Sequence, residues 1–124
     1  LATITWTFWD LSPDGSRIAF ARRARGNGLI RILPVAGGPP GEVNVKGWSM
    51  LESVTWAADG KSLFATSYST RGNTLLLVTM EGEARVLHKS TIWLERMVPS
   101  PDGRRLAFAE VNATSNAWMI EDFR

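Results

Sequence analysis

The feature that most constrains the fold is a twelve-residue stretch that occurs three times in the sequence. Its first copy reads Leu-Ser-Pro-Asp-Gly-Ser-Arg-Ile-Ala-Phe-Ala-Arg, and the copies occupy residues 11–22, 56–67 and 99–110. The glycines at the fifth position of the copies, Gly15, Gly60 and Gly103, are 45 and 43 residues apart. A repeat with this period is typical of a solenoid, a propeller or an array of similar units.

Each copy predicts a tight turn followed by a β-strand. Proline fixes φ near the value that the second residue of a type I turn needs, and it occupies that position in two copies, as Pro13 and Pro101. The aspartates of the turns can accept hydrogen bonds from the following backbone, and the glycines tolerate a positive φ. These residues are Asp14, Gly15, Asp59, Gly60, Asp102 and Gly103. Turn geometry explains the three aspartates better than the alternative, a repeated acidic site.

The apolar runs after the turns do not alternate with polar residues, which indicates strands that are buried on both faces. The phenylalanine of the second run stands one position earlier than those of the other two runs. Neighbouring residues of a strand face opposite sides. We therefore expect Phe64 to face the other side of its sheet from Phe20 and Phe108, and we expect these last two side chains to be buried.

The first two repeat units each contain four predicted antiparallel strands, and the third unit lacks the fourth. The first strand is expected within Leu1–Trp9, where threonines alternate with larger apolar residues. A four-stranded unit of this length is typical of a propeller blade. The sequence thus predicts an all-β partial propeller that self-association completes, with blade 1 at 1–46, blade 2 at 47–89 and an incomplete blade 3 at 90–124.

The repeated Ser-Pro-Asp-Gly-x-x-Ile/Leu-Ala-Phe pattern resembles the repeat of TolB-like β-propellers. It is similar to the repeat in the propeller domains of prolyl-oligopeptidase-type peptidases. It is also similar to the repeat in the extracytoplasmic C-terminal propeller of some bacterial serine/threonine kinases. Residues 115–121 resemble the final blade of that kinase propeller. The second copy departs from the pattern with Ala57-Ala58 in place of Ser-Pro. The resemblance implies a bacterial, extracytoplasmic or periplasmic propeller. It implies no catalytic residue, because nothing in the sequence corresponds to the peptidase or kinase domain.

Composition excludes several classes of function. Fourteen Lys and Arg against twelve Asp and Glu give a net charge of +2, too small to indicate binding to nucleic acid. The chain has no cysteine, so disulfides and thiolate metal sites are excluded. No apolar run is long enough to span a membrane, no phosphate-binding loop is recognisable, and we expect no cofactor or metal. Because the chain begins at Leu1, we interpret it as a trimmed protein or a piece of a longer one.

The candidate ligand-binding residues lie in segments that a propeller places on the face bordering its central channel. Trp48 and Trp93 precede the first strands of two blades, and we expect both to be at least partly exposed. The loops after the second strands contribute Arg25, Asn27, Tyr68, Arg71 and Asn73. Tryptophan, tyrosine and arginine dominate binding hot spots, so this face is a candidate rim for a peptide or an anion. The alternative is that Gly-Asn merely turns the chain and that the arginines are solvated.

Glu52 and Glu95 are 43 residues apart and begin the innermost strands of two blades. Paired carboxylates in a channel suggest acid–base chemistry or a cation site, whereas solvated channel walls or partners for Arg96 are the simpler interpretation. His88, the only histidine, is expected on the surface of an outer strand. A single histidine is incompatible with a multi-histidine metal centre.

These observations favour a non-catalytic binding or scaffold module over part of an enzyme. The enzyme alternatives are the gating domain of a serine peptidase and a propeller enzyme with channel carboxylates, and a third possibility is a protein made to study propeller assembly. Three blades are too few to close a ring, whereas two copies supply six. We therefore expect a homodimer with a protein, peptide or small-molecule ligand at the channel face, rather than a nine-bladed trimer, and no membrane insertion.

Overall fold

A computed structural model describes residues 8–22, 26–111 and 116–123, and every regular element within these ranges is a β-strand. The strands are β1 (Trp9–Leu11), β2 (Arg17–Arg22), β3 (Gly28–Pro34), β4 (Gly41–Val45), β5 (Leu51–Trp56), β6 (Ser62–Ser69), β7 (Gly72–Thr79), β8 (Ala84–Ser90), β9 (Trp93–Pro99), β10 (Arg105–Val111) and β11 (Asn116–Glu121). The described ranges contain no helix that could cross a membrane.

The strands form three antiparallel sheets in which every strand pairs with its neighbour in the chain. Blade 1 has the order β1-β2-β3-β4, blade 2 has the order β5-β6-β7-β8, and the described part of blade 3 has three strands, β9-β10-β11. The predicted all-β architecture of propeller blades is therefore confirmed, and none of the three described sheets is closed. β1 shares only Trp9 with the strand expected within Leu1–Trp9, and residues 1–7 lie outside the described ranges.

The three repeated turns have the same main-chain hydrogen bond. The amide of the turn glycine donates to the carbonyl oxygen three residues earlier, over 2.8–2.9 Å, at Gly15, Gly60 and Gly103. These glycines have φ between 68° and 75°, in the left-handed region where a side chain is strained. Each turn therefore connects the first and second strands of a blade as a tight hairpin.

The core consists of two buried clusters, one on each side of blade 2. The first junction, between blades 1 and 2, contains Ala19, Ala21, Ile30, Ile32, Val43, Val45, Leu51, Val54, Trp56, Leu63, Ala65, Leu76 and Val78. The second junction, between blades 2 and 3, contains Ala57, Phe64, Leu75, Leu94, Met97, Leu106, Phe108 and Phe123. Blade 2 thus buries both of its faces, as its continuous apolar strands predict.

The phenylalanines of the repeats occupy the predicted sides of their sheets. Phe64 faces blade 3, whereas Phe108 faces back towards blade 2, and both are buried in the second junction. Phe20 alternates with Ala19 and Ala21, which face blade 2, so its ring faces away from blade 2. The expectation that Phe20 is buried is wrong: it is half-buried, because no described element covers that side of blade 1.

Blades 1 and 3 each have one sheet face that no described element covers. The open face of blade 1 contains Trp9, Leu11, Ile18, Phe20 and Leu33. The open face of blade 3 contains Val98, Ala107 and Met119, which are direct cross-strand partners in one row. Trp9, Val98 and Met119 are 58–65% exposed.

Polar contacts also connect blades 1 and 2. The Arg17 guanidinium lies 4.4 Å from the centre of the Trp56 ring, and its Nη2 donates to the Gly60 carbonyl oxygen over 2.8 Å. The Lys46 amide donates to the Gly82 carbonyl oxygen over 3.0 Å. These contacts fix the register of blade 1 on blade 2.

Candidate functional site

The first strands of the three blades border one cavity of about 380 Å³. Its lining includes Trp9 and Asp10 of β1, Glu52 of β5, and Trp93, Glu95 and Arg96 of β9. The first strand of a propeller blade is the innermost one, so this cavity lies where a propeller has its central channel. We call it the channel cavity.

Glu52 reaches the channel cavity through a β-bulge. Leu51 pairs with Ser67 and Ser53 pairs with Thr66, so Glu52 is the extra residue of β5. A bulge changes the direction of side chains, and it allows Leu51 and Val54, three positions apart, to enter the same apolar cluster. Only 7% of Glu52 is exposed.

Glu95 occupies the corresponding position in β9, but its environment differs from that of Glu52. It pairs with Ala109, and the irregularity of β9 comes after it, at Arg96 and Met97. Arg96 has a φ of 55°, and its Nε lies 3.8 Å from Glu95 Oε1. The Glu95 side chain is 42% exposed, so the equal sequence spacing of the two glutamates does not give them equal burial.

Asp10 is a cavity residue that the sequence analysis did not identify. Its Oδ2 accepts a hydrogen bond from the Trp56 amide over 2.8 Å, and its carbonyl oxygen accepts one from Trp56 Nε1 over 3.1 Å. The corresponding repeat positions hold Thr55 and Val98, so a repeat-by-repeat comparison marks Asp10 as different. These bonds make Asp10 a connection between blades 1 and 2.

Two of the predicted aromatic rim residues come together. The ring centroids of Tyr68, at the end of β6, and Trp93, at the start of β9, are 6.3 Å apart, with the ring planes tilted by 50°. Both side chains are partly exposed. Trp48 lies elsewhere: it packs against the first junction, and its carbonyl oxygen accepts a hydrogen bond from the Gly28 amide.

The two predicted Arg-Gly-Asn loops differ. Arg25 lies outside the described residues, and Asn27 is exposed immediately before β3. Arg71 is also exposed, whereas Asn73 is only 2% exposed. The Asn73 Nδ2 is buried without a hydrogen-bond partner among the described residues. The three described residues, Asn27, Arg71 and Asn73, therefore differ in exposure.

His88, which was expected on the surface, is partly exposed and makes contacts that the sequence does not predict. Its Nε2 is 2.7 Å from Glu110 Oε1, and its ring centroid is 5.0 Å from that of Phe108. The Ser90 hydroxyl donates to the other Glu110 oxygen over 3.2 Å. A shift in the β7–β8 register near Leu75 gives His88 a place at the second junction that the strand pattern alone does not show.

The turn aspartates act within their own turns. Hydrogen bonds from the Ser12 hydroxyl, and then from the Ser16 amide and hydroxyl, lower the pKa of Asp14 from its ordinary 3.8 to about 2. The Ser100 hydroxyl and then the Arg104 amide lower the pKa of Asp102 in the same direction. Asp59 accepts a hydrogen bond from the Lys61 amide over 2.9 Å.

The charges around the channel cavity are mainly negative. Three carboxylates and one guanidinium line it, together with aromatic rings. The described residues contain no group of three or more His, Cys, Asp or Glu side chains arranged to hold a metal ion. The cavity therefore combines apolar surface with acidic groups, a combination suited to a ligand that has a cationic group.

Comparison with known proteins supports the fold. No protein-family model and no curated protein matches the sequence. Among solved structures, the chain is similar to a putative TolB from Agrobacterium tumefaciens, with 15% identity, a TM-score of 0.75 and coverage of 98% of this chain and 47% of that one. It is also similar to TolB from Acinetobacter baumannii, with 21% identity, a TM-score of 0.65 and coverage of 90% and 28%.

A prolyl endopeptidase is similar as well, with 17% identity, a TM-score of 0.67 and coverage of 94% of this chain and 20% of that one. The chain spans less than half the length of each of these proteins. The fold is thus that of the β-propeller blades of these proteins, and the described residues form three blades.

Proposed function

We propose that this chain is a non-catalytic propeller module that completes a six-bladed ring as a homodimer and recognises a protein or small ligand at its channel face. The observation that carries the proposal is the pair of open apolar faces on blades 1 and 3. Soluble monomers rarely expose contiguous apolar surfaces of more than a few hundred Å². Two such faces at opposite ends of one row of blades favour a head-to-tail contact that closes by rotation.

The blade number supports a dimer over a trimer. Propellers typically contain about four to eight blades, so two copies of three blades fall within this range and three copies exceed it. The chain matches 47% of the length of the Agrobacterium protein.

Ligand recognition is proposed for the channel cavity because three of the candidate residues, Trp93, Glu52 and Glu95, line it. Trp93 supplies an aromatic surface, which the neighbouring Tyr68 ring extends outside the cavity lining, and the two glutamates supply negative charge. A Lys or Arg side chain of a peptide, or a small organic cation, can contact a ring face and a carboxylate at the same time. The dimer would bring two such cavities to one channel.

Assembly is tested by light scattering on a size-exclusion column. We expect a mass twice the 13.7 kDa of the chain at micromolar concentration. A stable, well-folded monomer would overturn the ring proposal and would assign the open faces to blades other than those of a second copy.

Ligand class is tested by following the tryptophan indole N–H signals of the ¹⁵N-labelled protein while argininamide is added. We expect one indole signal to shift, that signal to disappear in Trp93→Ala, and binding to weaken in Glu95→Gln. Glutamate amide is the matched control. Equal shifts with both compounds, or none, would contradict a cation-binding channel face.

A further inference from the structure

The sizes of the side chains at two repeat positions follow a pattern across the blades. Positions are counted within the twelve-residue repeat, whose copies begin at residues 11, 56 and 99. At each junction between two blades, the ninth repeat residue of the earlier blade and the tenth repeat residue of the later blade both face the other blade. These residues are Ala19 and Ala65 at the first junction, and Phe64 and Phe108 at the second. The remaining ninth and tenth residues are Ala107 and Phe20, which lie on the two open faces.

At the first junction, a large side chain fills the space beside the small pair Ala19 and Ala65. Trp56, the first repeat residue of blade 2, is fully buried there beside the two alanines. Blade 1 has the smaller Leu11 at the corresponding position and the larger Phe20 in place of Ala65. In blade 2 the large side chain, Trp56, is at the first repeat position, whereas in blade 1 the large side chain, Phe20, is at the tenth. The small Ala107 on the open face of blade 3 leaves room for the Phe20 ring.

The seventh repeat residue gives a polar counterpart. Arg17 holds this position in blade 1, where it crosses the first junction to the Gly60 carbonyl oxygen. Blade 2 has Ser62 there, and blade 3 has Arg105, which faces the open side and lies 3.1 Å from Glu121 in its own sheet. The residue that corresponds to Gly60 on blade 1 is Gly15, at the edge of the open face.

We propose that the junction between two copies repeats the first junction, with Phe20 of one copy seated over Ala107 of the other and with Arg105 donating to the carbonyl oxygen of Gly15 in the partner. This inference rests on the proposed ring and assigns its interface. The partner is a second copy because the side chains of the open faces are complementary in size. The faces are apolar around Phe20 and Ala107, and each also has one ion pair, Arg31–Glu42 on blade 1 and Arg105–Glu121 on blade 3. Each ring contains this junction twice.

The size match is tested by exchanging the two side chains. Ala107→Phe places two rings in one space, and Phe20→Ala leaves a void, so each should weaken dimerisation by about tenfold or more. The double variant Phe20→Ala with Ala107→Phe restores one large and one small side chain and should recover most of the affinity. Val86→Phe, an exposed position of β8 outside both open faces, is the control and should leave dimerisation unchanged.

The arginine contact is tested with Arg105→Ala, which should weaken dimerisation by about threefold to tenfold. Two variants are its controls. Arg104→Ala removes a neighbouring positive charge, and Glu121→Gln removes the ion-pair partner of Arg105 within its own sheet. Dissociation constants come from sedimentation equilibrium, and circular dichroism verifies that each variant is folded.

The outcomes separate the two proposals. A parent protein that is monomeric overturns the ring itself. If the parent protein is a dimer and neither Phe20→Ala nor Ala107→Phe weakens dimerisation, this pairing is overturned and the ring stays in place. The same conclusion follows if the double variant does not recover the affinity. An effect of Arg105→Ala that Arg104→Ala reproduces overturns the contact to Gly15.

Discussion

The two junctions of blade 2 use the same repeat to build different contacts. The first junction pairs two alanines and fills the space with Trp56. Trp56 also donates hydrogen bonds to Asp10, and Arg17 donates one to the Gly60 carbonyl oxygen. The second junction pairs two phenylalanines, and the ring of Phe123 packs edge-on against Phe64 with centroids 5.5 Å apart. A repeat fixes the geometry of the strands but leaves the contents of each junction free to vary.

Because their contents differ, the two junctions are stabilised mainly by different interactions. Burial of aromatic side chains dominates the second junction, because each ring removes a large apolar area from water. At the first junction, satisfied polar groups have a larger part, and leaving one of them unpaired carries a desolvation cost. Substitutions on each side of blade 2 therefore test the comparison separately.

The largest effect is expected from Phe64→Ala at the second junction. The ring is fully buried, so its loss should reduce the free energy of unfolding by about 3–5 kcal/mol through lost burial and a cavity. Chemical denaturation measures the change. Phe64→Leu, which keeps most of the volume, is the matched control and should cost less. Equal losses for both variants would contradict a packing role for the ring.

At the first junction, Asp10→Ala should reduce the free energy of unfolding by about 1–3 kcal/mol, because it leaves the buried Trp56 amide without its acceptor. Asp10→Asn retains an oxygen acceptor and should lose less. Denaturant titration of both variants gives the comparison. If Asp10→Ala has no effect, the first junction is held by apolar packing alone.

The turn that both junctions flank is tested by Gly60→Val. The expected loss is about 1–2 kcal/mol, because φ at Gly60 is 68° and a side chain is strained there. Space is not the cause, since a Cβ atom would meet its nearest neighbour at 3.6 Å. Gly41→Val, at a residue without positive φ, is the control in thermal melts. Unchanged melting of Gly60→Val would show that the turn tolerates a side chain.

The smallest effect is expected from acid. The pKa values of Asp14 and Asp102 are lowered in the folded protein, so their ionised forms stabilise it above the unfolded pKa of about 3.9. This stabilisation is lost as the pH falls from about 4 towards 2. The double variant Asp14→Asn with Asp102→Asn should show a shallower decline of stability over this interval. A decline as steep as that of the parent protein would assign it to other groups.

Repeat spacing and turn chemistry were sufficient to predict the blades, because each sheet joins strands that are neighbours in the chain. The opposite orientation of Phe64 followed from a one-residue offset, since side chains alternate across a strand. These features depend on local sequence and on a period, both of which a single sequence contains.

Features that depend on register and on neighbouring blades could not be predicted in the same way. Phe20 was expected to be buried, but what covers a blade face is decided by the next blade. His88 and Glu110 are distant in sequence, and a shift in the β7–β8 register brings them together. The unequal burial of Glu52 and Glu95 follows from irregularities at different positions of β5 and β9, which their equal spacing does not reveal.

The pairing of each strand with its chain neighbour has a kinetic consequence. Closing the short connections within a blade costs little chain entropy, so the sheet of one blade can form before the blades dock. Arrays of similar units fold by nucleating in one unit and spreading to its neighbours. Blade 2, which is covered on both sides, is then the nucleus that gains most from docking, and amide hydrogens of β6 and β7 would be the last to exchange with solvent.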